Sequence, residues 1–328
     1  MLTMMSVIQL KCKICGAPID INPEDAVYNC NSCGQAFTAD GKTFENHYFF
    51  PNILYKDKIH EIVSKFIKKN SFLRGIEDYS IKSIRPILLP FWIVKTQANT
   101  HFLGYLKYSE TRTRRTSSGS IKSESVTVYK PIEEDINEER TDIILARRAT
   151  TIFGYKKVKK LIEENMQNMV HFDINLLKDK EHEFQYLSTE FSDIDANQLV
   201  KTKIFDEHRA KAEKKCTKVF DCYTQISFLG TFFTHFPVWE VEYDFKGETY
   251  RVAINGNTGE IIKGEIPVTK LFRIVNFSIS ILLIVGGVLI NFFFGKSASF
   301  VPWITGGIIT FTLFFTVNNT FKPISVVD

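Results

Sequence analysis

Between Ile274 and Phe294 the chain carries no charged residue, over a length sufficient to cross the hydrocarbon of a bilayer as a helix, which takes about twenty residues. Lipid offers no water to the backbone, so a segment of this kind satisfies its N–H and C=O groups within itself, as a helix. A second uncharged run covers about Phe300 to Val317, and Gly295 to Ser299 between them suffice only for a turn. The expectation is an antiparallel pair of transmembrane helices, with Gly286-Gly287 and Gly306-Gly307 where two backbones can approach closely. A helix pair buried in a soluble core is the competing explanation. Lys263, Lys270 and Arg273 precede the first span and Lys322 follows the second, against Lys296 alone in the turn, so both chain ends are expected on the cytoplasmic side of a cell membrane. Neither span holds an acidic residue, Lys or Arg, which argues for an anchor rather than an ion or proton pathway.

The rest of the chain reads as soluble. With 44% hydrophobic and 24% charged residues it is a folded protein, and its formal charge of +4 does not by itself call for a nucleic-acid partner or an anionic surface. Met1 to Leu10 has no basic start, no sustained apolar stretch and no small-residue cleavage site, so the first module is expected to stay in a reducing cytosol.

That module is defined by Cys12-Lys13-Ile14-Cys15-Gly16 and Cys30-Asn31-Ser32-Cys33-Gly34. Four thiolates in two short loops surround one tetrahedral ion, zinc before iron, and with all four positions filled by protein sulfur no site is left for a catalytic water. Gly16 and Gly34 stand where the loop needs a positive φ. Pro18 to Ile21 and Ala26 to Tyr28 are expected to pair as a small hairpin carrying the knuckles. Cys12, Cys15, Cys30 and Cys33 are thus predicted to bind one structural Zn2+ that folds a segment too short for a core of its own. Cys216 and Cys222 read as structural.

Asp57 is placed as the cap of a helix ending near Asn70, followed by strands at Pro90 to Val94, Thr100 to Tyr108 and Val126 to Tyr129. The second half repeats the order: Asp195 caps a charged helix to about Lys215, then strands run from Lys218 to Phe228 and from Pro237 onward. Pro90-Phe91-Trp92-Ile93-Val94 and Pro237-Val238-Trp239-Glu240-Val241 share a pattern, which favours an internal duplication. Trp239, Val241, Tyr243 and Phe245 face one way and Glu240, Glu242 and Asp244 the other, as a solvated strand face rather than a catalytic carboxylate set. Turns at Lys246-Gly247 and Asn255 to Gly259 make the last strands a three-stranded meander. The seven histidines are scattered singly and read as surface or packing residues.

Arg112, Arg114 and Arg115, with Lys107 before them and a serine-rich stretch after, can clamp phosphates while Tyr105 and Tyr108 stack; a solvated hairpin tip is the plainer reading. Lys156-Lys157 and Lys159-Lys160 form a second basic cluster suited to anionic headgroups. No phosphate-binding glycine loop or nucleophile elbow occurs, and no small-molecule substrate is predicted.

Taken in order, the two CxxCG knuckles, the helix from Asp57 leading to Leu89-Pro90-Phe91-Trp92, and Pro237-Val238-Trp239 through Asn255-Gly256-Asn257-Thr258-Gly259-Glu260 to Glu265-Ile266-Pro267 resemble a family of membrane-anchored zinc-ribbon proteins of bacteria and archaea, often labelled primosomal or helicase-like. The resemblance covers most of residues 10–275. It implies a membrane adaptor that recruits protein partners, some relatives resembling adaptors for phage-shock-type envelope-stress proteins, and it brings no catalytic residues.

The expected architecture is α+β, with a zinc ribbon over 1–45, a first helix-plus-antiparallel-sheet unit over 46–150, a second over 151–270, a two-helix transmembrane hairpin over 271–320 and a short tail over 321–328. The expected function is non-enzymatic: a two-pass membrane adaptor for protein partners, with a membrane-tethered nucleic-acid-binding protein as the alternative.

Overall fold

The computed structural model describes residues 9–20, 27–30, 32–38, 46–70, 76–115, 119, 121–148, 150–172, 184–187, 189–294, 301–321 and 324–326. Its first strands are β1 (Gln9–Lys11), β2 (Pro18–Asp20), β3 (Val27–Asn29), β4 (Ala36–Thr38) and β5 (His47–Phe49). Helix α1 (Lys56–Asn70) leads to the long strands β6 (Tyr79–Arg115) and β7 (Ile121–Leu145), then α2 (Tyr155–Glu164), β8 (Val170–His171) and β9 (Gln185–Tyr186). Helix α3 (Asp193–Lys215) precedes β10 (Lys218–Phe245), β11 (Glu248–Asn255) and β12 (Ile261–Ile266), and α4 (Lys270–Phe294), α5 (Val301–Phe321) and β13 (Ile324–Val326) close the chain.

One mixed, mostly antiparallel sheet organises the body. β6 pairs with β7 on one edge and with β10 on the other, and β10 continues through β11 and β12 to β13. The pairing of β6 with β10 runs unbroken in partnership from Tyr79↔Phe245 to Tyr105↔Lys218, with bulges between Val219 and Asp221, Phe228 and Gly230, and Glu242 and Tyr243. Such bulges add local twist, which a strand this long needs to wrap helices.

Helices cover the sheet unequally. On one face α1 buries Ile59, Val63 and Ile67 against Trp239, Val241 and Tyr243. Farther along the same face α3 lays Ala196, Val200 and Ile204 over Trp92, Val94 and Ala98. On the other face α2 sets Val158 and Ile162 against Ile87, Leu89 and Phe236. The strands from residues 46–150 and 151–270 are therefore interleaved in a single sheet, β6 beside β10, while each helix-to-tryptophan order persists as α1 before β6 and α3 before β10.

Several local expectations are corrected. β6 does not break at Lys95 to Asn99, although that stretch is polar, because Thr96, Ala98 and Thr100 alternate inward and are buried; small side chains let α3 lie close. Lys218 to Phe245 is likewise one strand rather than two, a bulge between Phe228 and Gly230 carrying the ladder through. Ser192, not Asp195, caps α3: its hydroxyl accepts from the Asp195 N–H while the Asp195 carboxylate accepts from the Ser192 N–H, a reciprocal capping box. Asp57 lies inside the first turn of α1, where a negative charge still favours the helix dipole. The meander β10–β11–β12 forms as expected.

At the end of the chain, α4 holds a span from Phe272 to Phe293 that is long and apolar enough to cross a membrane and stays largely uncovered by protein; among the described residues it alone meets that length, since the apolar part of α5 is Pro302–Phe314. The two helices pack antiparallel, Ser280 hydrogen-bonded to Thr316 and Gly287 beside Ile309. β13 then returns to pair with β12, Ile324 opposite Ile266. The connection at 295–300, with Lys296, and the tail residue Lys322 lie outside the described residues.

Candidate metal centre

Each cysteine pair is presented by its own hairpin. β1 pairs with β2 around the Cys12 knuckle and β3 with β4 around the Cys30 knuckle, so Pro18 to Asp20 turns back onto Gln9 to Lys11 rather than pairing with Ala26 to Tyr28. The reason is local: closing a hairpin over one knuckle costs less loop entropy than joining strands of different knuckles. The two turns share one hydrogen-bond plan. Cys12 N–H donates to Ala17 O at 2.8 Å and Gly16 N–H to Cys12 O at 2.9 Å; Cys30 N–H donates to Gln35 O at 2.9 Å and Gly34 N–H to Cys30 O at 2.6 Å. Gly16 and Gly34 adopt φ of 75° and 68°, the left-handed region a side chain would strain.

The four sulfurs lie within 4.8 Å of one another, with Cys12 Sγ 3.5 Å from Cys33 Sγ and Cys15 Sγ 3.6 Å from Cys30 Sγ. A tetrahedron with metal–sulfur bonds of about 2.3 Å has edges of about 3.8 Å, so the set fits a tetrahedral metal ion. The backbone prepares the charge: burial raises the Cys12 thiol, but N–H groups of Cys15 and Ile14, each aimed at its sulfur, outweigh burial and bring it down to about 7. Cys30 and Cys33 are raised, chiefly by burial, and Cys33 further by the sulfurs of Cys12, Cys15 and Cys30. A cation is what lets such a group of thiols ionise together.

This module is docked on the sheet. Val27 N–H donates to Thr189 O at 3.3 Å, and Val27 and Ala36 join the cluster around Trp92, Phe233 and Ala196. Tyr186 packs edge-on against His235 with ring centres 5.5 Å apart, and burial first, then the charge of Cys33 and Cys30, raises its phenol.

Three polar groupings were invisible in the sequence. His47 and His235 share a buried hydrogen bond, Nε2 to Nδ1 at 2.9 Å, because β5 lies parallel to β10 and brings together residues 188 apart. Phe172 stacks on His47 at 4.1 Å, and among the described residues His47 Nδ1 and His235 Nε2 find no partner. Burial holds both imidazoles neutral: His47 titrates well below the usual range and His235 at about 3. His208, fully buried on α3, bonds to Thr100 at 2.6 Å and to Glu138 at 3.1 Å. Glu240, expected on a wet face, is buried: it accepts from Arg85 at 2.8 Å and from Phe153 N–H at 3.1 Å, because α2 and its lead-in cover that face. Glu242 and Asp244 remain half-exposed. An apolar neighbour pattern around Glu240 was the one available signal, and its charge concealed it.

Arg112, Arg114 and Arg115 are exposed at the end of β6, in a different sheet from the hairpins that carry the cysteines. Lys157 and Lys160 instead join Lys65 and Lys69 of α1 around a groove of about 830 Å³ floored by Phe66 and Ile262. No family model, curated protein or solved structure matches the chain.

Proposed function

We propose that this protein is a non-enzymatic, membrane-anchored docking protein that holds a zinc-ribbon body against a bilayer and recruits protein partners there. The observation that carries the reading is the continuity of sheet and anchor. β12 ends only three residues before α4, and β13, directly after α5, pairs back onto β12. A body joined to its anchor by two strands of its own sheet is held in a fixed attitude, which suits a landing platform better than a tether. The ion at Cys12, Cys15, Cys30 and Cys33 is read as zinc, since four thiolates at tetrahedral separations favour it and a closed shell makes it structural. In this reading α4 and α5 form a two-pass hairpin with the body and both chain ends in the cytoplasm, in keeping with Lys263, Lys270 and Arg273 beside the first span. The resemblance to membrane-anchored zinc-ribbon adaptors points the same way, toward partners in envelope stress.

The test is gentle purification of the tagged full chain from membranes, with and without nuclease, followed by identification of what stays bound and measurement of zinc. A stoichiometric protein partner that survives nuclease, together with one zinc per chain, is the expected result. A preparation that carries zinc but no protein in stoichiometric amount overturns the adaptor reading.

A further inference from the structure

β10 begins at Lys218, opposite Tyr105, and α3 ends at Lys215, so beyond Tyr105 the β6–β7 hairpin continues with neither a third strand nor a covering helix. Ten registered pairs, from Leu106↔Lys130 to Arg115↔Ile121, form this arm. At about 3.3 Å per residue it reaches some 33 Å past the sheet. All its residues are exposed except Val126 and Val128, which are half-buried. It carries six basic residues against Glu110 and Glu124.

Register sorts the arm into two unlike faces. One is a hydroxyl ladder of three rungs, Ser109↔Thr127, Thr111↔Ser125 and Thr113↔Ser123, closed at the outer end by Arg115. On the other face Arg112 stands opposite Glu124, but Arg114 stands directly opposite Lys122. Like charges facing each other across a strand pair cost stability, and no acidic group pairs with Arg114, Arg115 or Lys122 among the described residues. An anion bound at the tip removes that repulsion. Hydroxyls and guanidinium forks are the groups that bind phosphate oxygens, and a two-stranded ribbon has the width of the major groove, about 12 Å.

We infer that the β6–β7 arm is a nucleic-acid-docking arm, which lays its hydroxyl ladder into a duplex groove while Arg112, Arg114, Arg115 and Lys122 neutralise backbone phosphates. The anchoring bilayer suits the arm less well. The first residue of β6 pairs with Phe245, at the end of the sheet where β12 enters α4, and the tip lies at the opposite end of a 37-residue strand. Ile121 is the one large apolar residue of the last rung, where a lipid wedge would carry several. This inference stands independently of the adaptor reading.

The experiment uses the full chain in neutral-lipid nanodiscs and a fluorescent duplex of about thirty base pairs, titrated by anisotropy at several salt concentrations. Four neutralised phosphates predict a log–log salt slope near −3.6, so a fourfold rise in salt weakens binding about a hundredfold. The variant Arg114→Glu/Arg115→Glu/Lys122→Glu should lose at least tenfold in affinity and flatten the slope, with zinc content and thermal melting unchanged. Thr111→Val/Thr113→Val, which leaves charge alone, should weaken binding severalfold at an unchanged slope. Absence of salt-dependent duplex binding, or binding indifferent to the triple variant, overturns the inference. So does tighter binding of the matching single strand, or arm-dependent capture of anionic vesicles by a protein that ignores the duplex.

Discussion

His47 and His235 are uncharged because burial removes the water that would stabilise an imidazolium, and His235 further disfavours a charge on His47. Their folded-state titration lies below that of the unfolded chain near 6.5, so the unfolded state binds more protons as pH falls. The stability they support is complete above pH 6.5 and is lost progressively between there and about 3, where His235 titrates. At pH 5.5 the loss should be about 1.4 kcal/mol for each histidine. Denaturant titrations of wild type and His235→Gln between pH 8 and 5 check this: the wild-type curve should fall more steeply, and parallel curves would reject a buried neutral pair. The contrast with the cysteines explains what the chain discloses of itself. Cys12 and Cys15, like Cys30 and Cys33, meet through three-residue spacing and a glycine, so the sulfur cluster that can hold a metal ion is legible in the primary structure. The histidine pair depends on a parallel strand contact across 188 residues, and no local spacing announces it.

At the level of elements, helices were easier to read than strand ends. α1 shows as apolar periodicity and α3 as a capped, charged run, its misplaced cap written locally as Ser192 three residues before Asp195, whereas α2 was read only as a basic cluster. Ser192→Ala takes the hydroxyl acceptor from the Asp195 N–H and should cost about 1 kcal/mol in thermal or chemical unfolding; Asp195→Ala, which takes the acceptor from the Ser192 N–H instead, should cost a similar amount. An unchanged midpoint would mean that burial of Ala196 and Val200 alone fixes the start of α3. Strand lengths were misread because polarity was taken for a break. Lys95, Gln97 and Asn99 are polar since that side of the sheet is open, whereas Thr96, Ala98 and Thr100 are small since α3 presses on them. Only the partner element distinguishes a loop from a strand with one wet face. Glu240 misled in the opposite sense, as a charge tolerated inside because Arg85 and the Phe153 N–H meet both its oxygens.

For the whole molecule, the membrane reading carries a firm geometric requirement. β13 pairs with β12, so whatever lies between them leaves and re-enters on the side of the sheet. An impermeant maleimide applied to intact cells should label Ser297→Cys, in the expected turn, and spare both Ser325→Cys in β13 and the native cysteines. Labelling of Ser325→Cys, or of neither position, would reject the two-pass arrangement. The α+β class and the apolar span of α4 were legible, whereas the second span expected over Phe300 to Val317 is shorter in α5; the merging of both halves into one sheet was not legible, because it rests on β6 and β10 meeting from the two halves of the chain.

That long partnership also sets how the molecule bears load. The arm tip belongs to β6 and the apolar helix α4 follows β12, and between them stand the β6–β10 ladder and the shorter ladders β10–β11 and β11–β12. A pull between the arm tip and α4 runs along the strands, so the backbone hydrogen bonds of each ladder are loaded together in shear instead of being peeled one at a time. Resistance to forced unfolding is governed by the rate of crossing the unfolding barrier, and sharing tension in this way keeps that rate low. The sheet is in effect a tie rod, and its weakest coupling is the short run from Val252 to Ile254 where β11 meets β12.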